Sequence, residues 1–165
     1  ATMQEKGVTH YQLPEEGEIV SFHETRLSDF GLSENRDKIE FVQGDAHNLK
    51  PQLTGYDLVL AANLLDRLYD PSHLLSNIHE RINPGGLLVL ASPYTWLEEF
   101  TKKENWVGGI RLAGEPFTTL DGLTQQLGSH FRMLEEPRDV EFVIRETARK
   151  FQHTISQLSV WERTS

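Results

Sequence analysis

The sequence predicts an α/β domain built around a mostly parallel sheet. Two apolar runs, Leu58–Asn63 and Leu87–Ala91, have the length and composition of strands that are buried on both faces. Between them, Leu74, Leu75, Ile78 and Ile82 follow one another at helical spacing. A strand, a helix and a second strand in this order form a right-handed unit that joins parallel strands. The chain then ends in strands close enough in sequence to pair as an antiparallel hairpin.

The first 43 residues predict a hairpin and a strand. Val8–Leu13 and Glu18–His23 alternate in polarity, and Pro14–Gly17 lies between them, so we expect a β-hairpin over residues 8–23, inserted in the domain. Gly7 is placed to end a short helix before it. Ile39–Gln43 is predicted to be a strand that ends at Gly44.

Turn and cap residues predict the elements around the second core strand. Asp70 or Ser72 is a suitable N-cap with Pro71 in the first turn, and we expect the helix that begins there to run on through Ile82. Asn83–Gly86 is expected to end it in a tight turn.

The C-terminal half begins with a long connection. Residues 94–117 exceed an ordinary loop, so we expect a helix around Leu97–Lys103 and a substrate lid. Thr118–Asp121 resembles a capping box at the start of another helix. The remaining apolar runs predict the last strands: Phe131–Leu134, Val140–Ile144 and Ile155–Glu162.

Composition limits the class of protein. A chain of 165 residues is long enough for one domain with a core. The formal charge of −9 argues against a nucleic-acid partner, because a phosphate backbone requires basic surface. No apolar stretch approaches the ~20 residues of a membrane span. The absence of cysteine excludes disulfides and thiolate metal sites, no metal is expected, and we expect a cytoplasmic protein.

Polar residues follow the predicted strands. Asp45 comes directly after one strand, and its carboxylate could accept a hydrogen bond from an exocyclic amine such as that of adenine, or could only cap a turn. Asn63 ends the strand Leu58–Asn63, and Asp66 follows it. Both residues could meet a ligand there or cap a helix. Ligands of open α/β sheets bind at the carboxyl ends of the strands.

Taken together, the Asp45 turn, the strand ending at Asn63, the Asn83–Gly86 turn and the terminal hairpin resemble the class I S-adenosylmethionine-dependent methyltransferases. This resemblance implies a Rossmann-like sheet and S-adenosylmethionine as the cofactor. A closer resemblance is to the C-terminal methyltransferase domains of ovothiol biosynthesis enzymes, the bifunctional 5-histidylcysteine sulfoxide synthases. It is carried by four segments: Gly44–Pro51, Ala61–Pro71, Ala91–Phe100 and Ile144–His153.

The resemblance implies N-methylation of the imidazole of 5-thiohistidine, giving ovothiol A. Asp45, Ala46, Ala62 and Asn63 would then bind the cofactor. The same resemblance implies that the partner is an N-terminal sulfoxide synthase domain or a second copy of the chain.

Further residues are expected to act on the substrate. Asp66 and Tyr94 would lie near the methyl group as catalytic residues. Trp96 could stack on the imidazole, and Arg145 and Arg149 could pair with the substrate carboxylate, although surface arginines are often only solvated.

One part of the family pattern is absent from the sequence. Methyltransferases of this class open with a strand and a Gly-rich loop, and Gly7, Gly17 and Gly31 are isolated. We therefore expect an N-terminally truncated domain with an open sheet edge beside the Tyr56 strand. Two alternatives follow: a non-catalytic methyltransferase-like module, or a nicotinamide-dependent oxidoreductase, against which the terminal hairpin and the Asn83–Gly86 turn argue.

Overall fold

A computed structural model describes residues 2–165, and the chain separates into two compact units. The first unit contains the residues up to Gln43 together with Val143–His153. The second contains Gly44–Phe142 and Thr154–Ser165. The single-domain prediction is not tested by this division, and each unit is described separately below.

The first unit is built on the predicted hairpin. Helix α1 (Thr2–Lys6) ends at Gly7, which has a φ of 71° and donates its N–H to Met3 O at 2.8 Å. Strands β1 (Val8–Glu16) and β2 (Ile19–Arg26) then pair antiparallel. The hairpin prediction is confirmed, with strands that extend further than the alternation indicated. Two short 3-10 helices follow, Leu27–Phe30 and Ser33–Lys38.

The predicted strand Ile39–Gln43 is wrong. These residues have no regular structure, and Ile39, Phe41 and Val42 are exposed. A strand needs a neighbouring backbone to satisfy its N–H and C=O groups. No strand in residues 2–165 pairs with this segment, so its apolar residues alone do not make it a strand.

The second unit contains one five-stranded sheet and two helices. Its sheet has the order β3-β4-β9-β7, and β8 also pairs with β9. The ends of β8 and β9 reach into the first unit. The elements are β3 (Tyr56–Ala62), α2 (Pro71–Asn77), β4 (Ile82–Ser92), β5 (Ile110–Leu112), β6 (Glu115–Phe117), α3 (Thr119–Leu127), β7 (Phe131–Met133), β8 (Arg138–Arg145) and β9 (Phe151–Arg163).

The sheet is mixed. Strands β3 and β4 are parallel, as the strand–helix–strand pattern predicted, while β9 pairs antiparallel with both β4 and β7. The prediction of a mostly parallel sheet is therefore not confirmed. The predicted pairing of the last two strands is confirmed, because β8 lies beside β9. In the described part of the chain β3 is an edge strand, as expected.

Helix α2 begins where the cap residues indicated. The Asp70 side chain accepts the N–H of His73 at 3.3 Å, and Pro71 lies in the first turn. The helix ends earlier than predicted, because a 3-10 turn follows over Ile78–Arg81 and Ile82 is already the first residue of β4. Residues 83–86 lie within β4, where they interrupt the pairing with β3 instead of forming a separate turn.

The connection over residues 94–117 does not contain the predicted helix around Leu97–Lys103. It forms a turn, a 3-10 helix over Lys103–Asn105 and the β5–β6 hairpin. Side chains fix it in this form: Thr101 donates its hydroxyl to Leu68 O at 2.6 Å, and the Trp106 indole donates to Thr101 O at 2.8 Å. The predicted capping box is confirmed, since Thr118 and Asp121 exchange hydrogen bonds at the start of α3.

The core of the second unit lies between the sheet and its two helices. Leu88 and Leu90 of β4 and Trp161 of β9 are buried with apolar residues of α2 and α3. The opposite face of β3 exposes Leu58 and Leu60. No helix within residues 2–165 is long and apolar enough to cross a membrane, and the same residues contain no cluster of three or more side chains suited to a metal ion.

Candidate functional site

The carboxyl ends of β3 and β4 meet and form the base of the candidate site. Because the two strands are parallel and adjacent, their last residues face the same edge, and Asn63 N–H donates to Ala91 O at 2.7 Å. Asn63 and Tyr94, just past the two strand ends, both have a φ of 52°. Asparagine adopts this left-handed region readily, whereas a tyrosine is strained there by about 1–3 kcal/mol. Ala113, between β5 and β6, has a similar φ of 51°.

Asp66 is buried and its carboxylate is occupied by protein donors. Its side chain is 1% exposed. Oδ1 accepts the Ser92 hydroxyl at 3.2 Å, and Oδ2 accepts the Thr95 N–H at 3.1 Å. Ser92 Oγ also accepts the Tyr94 N–H at 3.1 Å. Asp66 therefore holds the residues on either side of Tyr94, and this network maintains the strained backbone of Tyr94.

Tyr94 has the chemistry of a hydrogen-bonding residue that stays neutral. Its hydroxyl donates to Gln157 Oε1 at 3.1 Å, and burial raises the pKa of Tyr94 to about 12. The phenol is therefore protonated at neutral pH and cannot serve as a base there. It can accept or donate a hydrogen bond, and thus orient a polar ligand.

Asn63 is fixed by β9. Its side-chain carbonyl accepts the Ser156 hydroxyl at 2.7 Å, and Ser156 is buried. The preceding residue, Ala62, is the exposed last residue of β3. The small side chain of Ala62 leaves the backbone at this edge accessible to a ligand.

The Asp45 turn lies in the same unit, before β3. Asp45 Oδ1 accepts the N–H of His47 at 3.0 Å, and the carboxylate is 65% exposed. Ala46 lines a cavity of about 180 Å³ whose other walls are apolar, among them Leu49, Val59, Leu60 and Leu64. An exposed carboxylate beside an apolar surface suits a purine with an exocyclic amine, because the base offers an apolar face and an N–H donor. The residues present therefore fit the adenine end of S-adenosylmethionine.

Trp96 packs within the predicted lid. Its indole N–H donates to Thr119 Oγ1 at 2.9 Å, and its ring stacks on Trp106 with centroids 6.3 Å apart. Gly109 allows this packing, since a Cβ there would lie 3.1 Å from Trp96 Cδ1. Stacking of Trp96 on a substrate imidazole, and the lid itself, stay predictions.

Arg145 and Arg149 belong to the first unit, and each pairs with an acid of the β1–β2 hairpin. Arg145 Nη2 lies 2.7 Å from Glu15 Oε2, and Arg149 Nη1 lies 3.1 Å from Glu16 Oε2. Hydrogen bonds from Ser21 and Arg145 lower the pKa of Glu15. Both arginines thus already bind carboxylates in the described structure, and their binding of a substrate carboxylate stays a prediction.

The structure adds residues that sequence reasoning missed. Ser92, Ser156 and Gln157 hold Asp66, Asn63 and Tyr94 in place. Ser92 is the last residue of β4, and this position could have identified it as a candidate site residue. Ser156 and Gln157 lie about 90 and 60 residues from their partners, so no local sequence signal identifies them.

Comparison with known proteins concerns the family and the fold of the chain. The profile of the family described as "Methyltransferase domain" matches residues 18–143. None of the curated proteins matches the chain. A solved S-adenosylmethionine-dependent methyltransferase from Methanosarcina mazei superposes with a TM-score of 0.50 at 15% identity, covering 83% of this chain and 78% of that one.

A second solved structure comes from work on the conversion of a disulfide bond into a thioacetal group during echinomycin biosynthesis. It superposes with a TM-score of 0.51 at 13% identity and covers 81% of this chain. The chain spans 61% of that protein's length. At these identities the two structures share the fold with this chain.

Proposed function

Because this chain belongs to the family of methyltransferase domains, we propose that it transfers the methyl group of S-adenosylmethionine to an imidazole nitrogen of 5-thiohistidine, the N-methylation that yields ovothiol A. The observation that supports the methyl-transfer part is the pair of residues with left-handed backbone, Asn63 and Tyr94, at adjacent strand ends in the unit that also contains the Asp45 turn. The choice of 5-thiohistidine rests on the sequence resemblance.

The cofactor would be held by two segments of the second unit. Asp45 would accept the exocyclic amine of adenine, and the backbone of Ala46 would face the base edge. The backbone carbonyls around Ala62 and Asn63 would receive the ammonium group. When bound, S-adenosylmethionine would supply an electrophilic methyl group to the imidazole nitrogen, with S-adenosylhomocysteine as the leaving group and the ring proton released to solvent.

The chain's own contribution is alignment. Methyl transfer needs the nucleophile, the methyl carbon and the leaving sulfur in line, so fixed geometry supplies much of the acceleration. Tyr94 would orient the substrate through its neutral hydroxyl, whose pKa of about 12 excludes a role as general base at neutral pH. Asp66 would act as a positioning residue for Tyr94. An imidazole with a pKa near ~6.5 is largely neutral at pH 7 and attacks without a strong base.

The remaining roles are proposed for residues of the lid and of the first unit. Trp96 would contact the imidazole. Arg145 and Arg149 would release Glu15 and Glu16 and bind the substrate carboxylate in their place. The partner would be an N-terminal sulfoxide synthase domain or a second copy of the chain, in the cytoplasm.

Calorimetric titration with S-adenosylhomocysteine tests the cofactor step. We expect binding by the chain and a loss of about tenfold or more in Asp45→Asn, because an amide offers one acceptor oxygen where the carboxylate offers two. The matched control is Asp37→Asn, an exposed residue of the first unit that should leave affinity unchanged. A folded chain that fails to bind would favour the non-catalytic alternative.

Transfer of a labelled methyl group tests the substrate. We expect labelling of 5-thiohistidine and none of histidine, which lacks the sulfur. Cofactor binding without labelling of either compound would retain the methyltransferase assignment and remove 5-thiohistidine as the substrate.

A further inference from the structure

We propose that His47 is a positioning residue for base recognition, which holds the Asp45 carboxylate in the orientation that selects adenine. This inference rests on the proposed function of the Asp45 turn. It adds a residue to that site and predicts how the site distinguishes an amino group from a keto group on the base.

His47 is fixed on one ring face and at one ring nitrogen. Its side chain is 8% exposed. The ring stacks on Tyr69 with centroids 3.6 Å apart and planes inclined by 15°. Nε2 accepts the backbone N–H of Asp70 at 3.1 Å. A ring held in this way has one orientation, so its second nitrogen is fixed as well.

The contact with Asp70 determines the position of the ring proton. Because Nε2 accepts a hydrogen bond from an N–H group, it carries no proton, and the neutral ring must be protonated on Nδ1. Nδ1 lies 3.4 Å from Asp45 Oδ1. The same oxygen accepts the backbone N–H of His47 at 3.0 Å. The backbone N–H and the ring Nδ1 of His47 therefore both approach Oδ1 of Asp45, and neither contact occupies Oδ2.

His47 also ties the Asp45 turn to the start of α2. Asp70, whose N–H binds the ring, is the N-cap of that helix and is 23 residues distant in sequence. The backbone N–H of His47 holds Asp45 Oδ1 at 3.0 Å, and the ring adds a second contact to the same oxygen. The stack and the Asp70 contact orient the ring, and the donor at Nδ1 is the group that approaches the carboxylate.

Two substitutions distinguish the role of His47 Nδ1 from the role of His47 Nε2. His47→Asn keeps an amide N–H at about the reach of Nδ1 and loses the acceptor for Asp70. His47→Gln keeps an amide oxygen at about the reach of Nε2 and loses the donor toward Asp45. The probes are S-adenosylhomocysteine and S-inosylhomocysteine, in which a keto oxygen replaces the exocyclic amine, and the readout is the ratio of their dissociation constants.

We expect the ratio of the two dissociation constants to be the same within about twofold in the wild-type chain and in His47→Asn. In His47→Gln we expect this ratio to fall by about threefold, the worth of one weak polar contact. A purely structural role would weaken both ligands equally and leave the ratio unchanged. A folded His47→Gln variant with the wild-type ratio would overturn the inference.

A second measurement needs no ligand and no variant. Long-range ¹H–¹⁵N correlation spectra of the unliganded chain should show His47 protonated on Nδ1 at pH 8. A proton on Nε2 would overturn the inference whatever the binding data show. If the tautomer is as expected but the wild-type chain does not bind S-adenosylhomocysteine, the proposed function of the turn is overturned and the inference with it.

Discussion

Asp66→Asn distinguishes a positioning role from a direct role in the chemistry. The substitution keeps the shape of the side chain and changes its hydrogen bonding. The carboxylate accepts from Ser92 Oγ and from Thr95 N–H, one at each oxygen. The asparagine amide offers one oxygen and one NH₂ group, so in either orientation one of these donors faces an N–H.

The magnitude follows from the burial of the site. A buried donor left without an acceptor costs about 1–3 kcal/mol. The loss of the contact between Asp66 Oδ2 and Arg67 Nη1, 3.2 Å apart, adds little because the arginine side chain is 39% exposed and screened by solvent. We expect Asp66→Asn to lower the free energy of unfolding by about 2 kcal/mol, which for a chain of this length lowers Tm by roughly 4–8 °C.

Urea unfolding at pH 7 measures this cost, with Asp57→Asn as the matched control. Asp57 is an exposed acid of β3 whose Oδ1 accepts the Asn83 side-chain amide at 2.8 Å, so its amide variant should change stability by less than about 1 kcal/mol. A positioning role further requires that Asp66→Asn reduce methyl transfer in the folded fraction while the affinity for S-adenosylhomocysteine is retained. Unchanged stability together with abolished transfer would refute the positioning role and return Asp66 to the reacting atoms.

Two further predictions concern stability. Gly122→Ala should cost about 3 kcal/mol or more in urea unfolding, because its Cβ would lie 1.8 Å from Val107 O, whereas Gly44→Ala, with no atom within 4 Å, should change stability by less than about 0.5 kcal/mol; equal costs would contradict this packing. Burial and the stacked His130 ring, 3.8 Å away, lower the pKa of His79, so the unfolded state binds a proton more readily and stability should fall as pH drops below ~6.5. His79→Gln should reduce this loss between pH 7.5 and 5.5, and an unchanged pH dependence would exclude His79 as its source.

Local sequence signals predicted those elements whose stability is itself local. The capping box at Thr118 needs only Asp121 three residues later, and the 8–23 hairpin needs only its own two arms. The strand over Leu58–Asn63 was recognisable because both of its faces are apolar. For the capping box and the hairpin the decisive interactions lie close in sequence, whereas β3 was recognisable from its composition although it pairs with the more distant β4.

The wrong secondary-structure predictions concern segments whose conformation depends on residues distant in sequence. Ile39–Gln43 has strand composition, yet no strand in residues 2–165 pairs with it. Around residues 97–103, the hydroxyl of Thr101 binds Leu68 O, 33 residues away, and fixes a turn in place of a helix. Hydrophobic periodicity predicts neither the missing strand partner nor the hydrogen bond of Thr101.

The same limit applies to the candidate site, and Asp66 and Tyr94 show why. Position in the sequence places both residues just beyond neighbouring strand ends, but it does not predict the contacts of either side chain. The structure gives them different environments: the Asp66 carboxylate is buried and accepts hydrogen bonds from Ser92 and Thr95, while Tyr94 has a left-handed backbone beside these contacts. A strained residue persists only if its surroundings fix it. The buried acid therefore helps to fix the position of the tyrosine. Under the proposed function we expect substitution of either residue to reduce methyl transfer, although only Tyr94 would contact the substrate.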